Sequence, residues 1–66
     1  MKIKINSNII DIDENLSLKK WLETNGYNLD RIAIECDGEI ISKSVWNEFI
    51  LRENVSLEIV EFVGGG

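Results

Sequence analysis

Lys2-Ile3-Lys4-Ile5-Asn6-Ser7-Asn8-Ile9-Ile10-Asp11-Ile12-Asp13 is the stretch on which the fold turns. Lys2 to Asn6 alternates polar and apolar residues, with Ile3 and Ile5 on one face, as a half-buried strand does. Asn6-Ser7-Asn8 is turn chemistry, because Asn and Ser bond locally to the backbone and Asn tolerates positive φ. Ile9 to Asp13 resumes the alternation, with Ile10 and Ile12 on one face and Asp11 on the other. Two β-branched runs around a short polar turn predict a hairpin. Asp13-Glu14-Asn15 then breaks the strand. Leu18, Trp21 and Leu22 follow at helical spacing, with Ser17 as N-cap and Lys20 at N3. Asn25-Gly26 stops that helix, the glycine supplying a left-handed turn without steric cost.

Further along, Tyr27 to Arg31 is a polar connection, and Arg31 to Cys36 alternates again. Ile32, Ile34 and Cys36 share one face there; Ala33 and Glu35 share the other. Asp37-Gly38 is a strong two-residue turn signal, followed by a short strand at Glu39-Ile40-Ile41. Val45, Trp46 and Phe49 predict a short helical turn within Ser42–Phe49, capped by Ser42 or Ser44. Val55 to Val60 is the last strand, with Val55, Leu57 and Ile59 inward and Ser56, Glu58 and Val60 outward. A hairpin, a helix and further strands predict an α+β fold. The helix crosses one face of a mixed sheet of about five strands, whose first and last strands run parallel in the centre. That is the ubiquitin-like β-grasp arrangement, with one main helix and a short helical turn. The expected core is Ile3, Ile5, Ile10, Ile12, Leu18, Trp21, Leu22, Ile32, Ile34, Cys36, Trp46, Leu57 and Ile59. Residues 1–61 are expected to form this one domain and residues 62–66 a flexible tail.

Composition removes most chemistry. The 66 residues contain no histidine, so the usual general base and the commonest metal ligand are missing. One cysteine, Cys36, allows neither an intrachain disulfide nor a cysteine-based zinc site, and a reducing cytoplasm suits it. Asp11, Asp13 and Glu14 make no calcium loop, and no metal site is expected. The net charge is −5, and the seven basic residues are scattered, so no nucleic-acid footprint is present. An acidic surface argues against anionic membranes and for partners with basic patches. No apolar run is long enough to span a bilayer, and the N-terminus lacks a signal peptide's apolar stretch.

The chain closes on Phe62-Val63-Gly64-Gly65-Gly66, which holds three of its five glycines. Glycine weakens any regular element but permits close backbone approach, so such a tail can thread a narrow tunnel in another protein. The Gly66 carboxylate is then a chemical handle. Attack on the α-phosphate of ATP gives an acyl-adenylate, from which a sulfur nucleophile displaces AMP. The chain has no Gly-rich phosphate loop, so a separate enzyme must bind the ATP.

The whole chain resembles the ThiS family of small sulfur carriers in thiamin biosynthesis. The resemblance rests on Met1-Lys2-Ile3, the Leu18 to Leu22 helix, Asp37-Gly38-Glu39-Ile40-Ile41, Ser42-Lys43-Ser44-Val45-Trp46 and, above all, the glycine tail. Ser42 and Lys43 stand where the family often has Pro and Arg. The resemblance implies that the chain is no enzyme and has no catalytic residue or bound cofactor of its own. A ThiF-like adenylating enzyme activates Gly66 with MgATP, and a sulfur-delivery protein supplies sulfur as a persulfide. The resulting thiocarboxylate gives its sulfur to a ThiG-like thiazole synthase. Gly65 and Gly66 carry over to the family's terminal pair and Gly64 extends it. A carrier for molybdopterin or another sulfur-containing metabolite shares this tail chemistry. A ubiquitin-like modifier or binding module is the further alternative.

Partners must also grip the folded body. Ala33, Val60, Phe62 and Val63 are the expected contacts, since the first two point outward and the last two lead into the tail. Glu58 and Glu61 flank them and could meet basic residues on the partners, although a solvated acidic face is the plainer reading of both. Cys36, Trp21 and Trp46 are read as core, and Lys43 as a solvated charge.

Overall fold

The computed structural model describes residues 1–62. Strands β1 (Lys2–Ile5) and β2 (Asn8–Asp11) form the expected hairpin, and helix α1 (Leu18–Thr24) follows. After a 3-10 turn at Leu29–Arg31 come β3 (Ile32–Cys36), β4 (Glu39–Ile40), a second 3-10 turn at Lys43–Val45, and β5 (Ser56–Glu61). The sheet order is β2-β1-β5-β3-β4, with β1 and β5 parallel and the other neighbours antiparallel. This is the β-grasp topology read from the sequence.

Local chemistry explains the elements. Both hairpin turns place two consecutive residues in the left-handed region: Asn6 and Ser7 at φ 48° and 71°, Asp37 and Gly38 at 53° and 83°. Such pairs match the right-handed twist of the strands they join. Ser17 caps α1, its Oγ accepting the Lys20 N–H at 3.1 Å. The Leu18 and Lys19 amides donate outside the helix, to Phe49 O at 2.7 Å and Trp46 O at 3.1 Å. The first turn of α1 is therefore tied to the segment that crosses beneath it.

Leu18, Trp21 and Leu22 press onto Ile3, Ile5, Ile32, Ile34, Leu57 and Ile59, with Trp46 and Leu51 closing the same core. Several expectations need correction. Strand β2 stops at Asp11, and Ile10 and Ile12 pack against the core but are only half-buried, because β2 is an edge strand that the short helix covers in part. Cys36 is also half-buried, since it lies at the outer end of β3. Only Lys43–Val45 is helical within Ser42–Phe49, and Val45 is exposed. The Trp46 and Phe49 carbonyls serve the start of α1 instead of extending that turn. Lys43 bonds Asp30 at 3.1 Å and its ammonium lies 5.9 Å from the Trp46 ring centre. Leu51, 2% exposed, belongs to the core although no local periodicity marks it. Its place comes from a long-range bond, Leu51 N–H to Leu16 O at 2.8 Å.

Candidate functional site

The sheet has one covered face and one bare one. Register decides which residues stand on the bare face. Ala33 pairs with Val60 and Glu35 with Glu58 across β3 and β5, while Ile40 pairs with Glu35 across β3 and β4. Alternation puts all five on the side away from α1. Ala33 and Glu35 are half-buried, Val60 is 50% exposed and Ile40 is 73% exposed. Phe62, two residues after Val60, is 59% exposed and continues that row. Ile9, on β2 opposite Lys4, is a separate exposed apolar residue at the far edge of the same face.

Two contacts fix the end of β5. The Phe62 N–H donates to Arg31 O at 2.7 Å, which carries the β3–β5 pairing to the last described residue. On the other side β1 has already turned away at Asn6. The Asn6 side chain takes the place of the missing strand: its Nδ2 donates to Ile59 O at 3.2 Å and its Oδ1 accepts the Ile59 N–H at 2.7 Å. Both backbone groups would otherwise lack a partner in the ladder. The base of the tail is thus held from both flanks.

Of the expected partner contacts, Ala33, Val60 and Phe62 are brought together on this face. Val63, Gly64, Gly65 and Gly66 lie outside the described residues. Glu58 is on the face, whereas Glu61 pairs with Ile32 and belongs to the opposite side. Ile40 and Glu35 were missed as site residues. The signal was present: a two-residue Asp37-Gly38 turn forces Cys36 opposite Glu39, and hence Glu35 opposite Ile40. Burial, and then the neighbouring Asp37 carboxylate, push the Cys36 thiol up from its ordinary pKa. That disfavours a reactive thiolate. Among the described residues, no group of three or more His, Cys, Asp or Glu could hold a metal ion, and no helix is long and apolar enough to cross a membrane.

The model of the ThiS family matches residues 2–66. The chain belongs to the ThiS family. Its match takes in both the sheet and the glycine tail. The same fold is found in ThiS, a thiamine biosynthesis protein from Geobacter metallireducens, with a TM-score of 0.83, 20% identity and complete coverage of both chains. Among relatives by sequence, the uncharacterized protein ycf40 of Porphyra purpurea is 30% identical over this whole chain and 93% of its own length. Thiazole synthases from Magnetococcus marinus and Paramagnetospirillum magneticum are 27% and 30% identical over all 66 residues. This ThiS-family chain spans only 20% of the length of each of those two synthases.

Proposed function

We propose that this chain carries sulfur for thiazole formation by way of a thiocarboxylate on Gly66. The observation that carries the reading is the ThiS-family match running through residue 66, so that the glycine tail belongs to the family pattern and directly follows β5. A ThiF-like enzyme joins the Gly66 carboxylate to the α-phosphate of MgATP and releases pyrophosphate. A sulfur-delivery protein brings a persulfide whose terminal sulfur displaces AMP and forms an acyl disulfide. A thiol then attacks the delivery protein's sulfur in that bond, forming a disulfide with it and releasing the thiocarboxylate. A ThiG-like synthase accepts the sulfur, and the carrier returns as a carboxylate. The relatives named thiazole synthase, which hold a region like this chain within a longer one, support the last partner. The body contributes recognition and the tail contributes the reacting group. The chain is a substrate throughout and binds no cofactor of its own.

Intact mass tests this reading. The protein is incubated with MgATP, a ThiF-type enzyme, a persulfide source and a thiol reductant. The expected result is a mass gain equal to one oxygen exchanged for sulfur, localised to Gly66 and abolished by deleting that residue. Gly65→Leu should leave the fold unchanged and block adenylation, because a side chain obstructs the threaded tail. A sulfur-free product, or lysine-linked adducts of higher mass, would sink the reading.

A further inference from the structure

On the bare face, Glu35 and Glu58 stand directly opposite each other. Like charges so placed repel and destabilise a strand pair. Neither has a basic partner: the ion pairs among the described residues are Lys2–Asp11 and Lys43–Asp30. On the β3–β4 side and toward the end of β5 the pair is flanked by Ile40, Ala33 and Val60, with Phe62 beyond, while Ser56 precedes Glu58 on this face and Lys4 of β1 stands beside Ser56. Two carboxylates set among apolar side chains have a specific complement. A guanidinium can donate to both at once, while its stem and flat faces lie on apolar neighbours. We propose that this face docks a partner protein that inserts an arginine between Glu35 and Glu58 and lays apolar side chains on Ile40, Ala33 and Val60.

Other occupants fit less well. A second copy of this chain would set one acidic pair against another in a symmetric contact. An anionic membrane is repelled by the net charge of −5. Calcium takes six to eight oxygen ligands, roughly, and two exposed carboxylates fall short. The proposal rests on the sulfur-carrier reading and adds what the body presents to the enzyme that admits the tail. Phe62 links the two, since it stands on this face and leads into Val63-Gly64-Gly65-Gly66. A further consequence separates recognition from stability. Neutralising a repelling pair should leave the isolated fold as stable as before, or more so, while it weakens docking.

The test uses ATP–pyrophosphate exchange by a ThiF-type adenylating enzyme, with the carrier as varied substrate over a salt series. Glu35→Gln/Glu58→Gln is compared with Glu14→Gln/Glu23→Gln, which removes the same charge from exposed positions off this face. The first variant should raise KM about tenfold or more at unchanged kcat, flatten its salt dependence and melt no lower than wild type. The control should change KM by less than about twofold. Equal effects of the two variants would show net-charge steering alone and overturn the proposal. So would an unchanged KM in the first variant. Wild-type carrier that gains sulfur, together with a Glu35→Gln/Glu58→Gln variant adenylated equally well, refutes only the docking proposal; wild-type carrier that is never adenylated refutes the carrier reading and the proposal with it.

Discussion

The two faces of one sheet follow different rules. The inner face carries Ile3, Ile5, Ile34, Leu57 and Ile59, all buried against α1. The outer face offers Val60 and Ile40 to solvent and sets two glutamates against each other. Alternation along β5 serves both, so one strand supplies Leu57 to the core and Glu58 to the surface. The inner face is optimised for folding and the outer one is not. A mutation series should therefore divide by strand parity, stability changing on one side and recognition on the other.

Leu57→Ala should break the inner face most severely. Its side chain is fully buried, and such truncations cost about 2–5 kcal/mol. A core of this size supplies roughly 3–5 kcal/mol net, so urea titration should find the variant largely unfolded or nearly so. Asn6→Ala lies between the faces. It strips the Ile59 N–H and C=O of their side-chain partners and should cost about 1–3 kcal/mol. Asn6→Asp sharpens that result, because a carboxylate can still accept the Ile59 N–H but cannot donate to the carbonyl. Ser17→Ala removes the α1 cap and should cost about 1 kcal/mol in thermal melts. Val60→Ser, on the outer face, should shift stability by less than about 0.5 kcal/mol while it weakens binding to the adenylating enzyme. A Val60→Ser variant as unstable as Leu57→Ala would abolish the distinction between the faces.

The smallest effect concerns Cys36. Its pKa is raised in the fold, so the neutral thiol is the favoured form there. Its contribution to stability is complete below the unfolded thiol's pKa and declines as pH rises through the higher folded value. The rate of iodoacetamide labelling against pH should accordingly have its midpoint above that of a free cysteine.

The contrast between faces was largely readable from the sequence because period-two alternation is a local signal. It placed Ile3, Ile5, Leu57 and Ile59 inward and Ala33 and Val60 outward, and the Ser17 cap was equally local. What escaped was set by distant contacts. Leu51 has no periodic neighbours and is buried because its amide reaches Leu16. The Ser42–Phe49 segment reads as helical, yet its Trp46 and Phe49 carbonyls are taken by α1. Ile10, Ile12 and Cys36 have inward phase, but their depth depends on where a seven-residue helix ends. For the candidate site, residue types were evident while adjacency was not. Glu35 and Ile40 joined Val60 only once the Asp37-Gly38 turn had fixed the register.

The parallel pairing of β1 with β5 has a kinetic consequence. Lys4 lies beside Ser56, so the centre of the sheet joins opposite ends of the sequence. The two hairpins can each form from neighbouring residues, but neither acquires a complete core until β5 arrives between them. Loop closure must precede that reward, and chains dominated by such pairings fold slowly for their size. The strand that completes the sheet is also the one that leads to the tail. A chain nicked within Ser56–Glu61 loses Leu57 and Ile59 from the core and cannot present a sound body. Integrity of the globule and possession of the glycine tail are therefore inherited together, and a damaged chain is recognisable to proteases as an unfolded one.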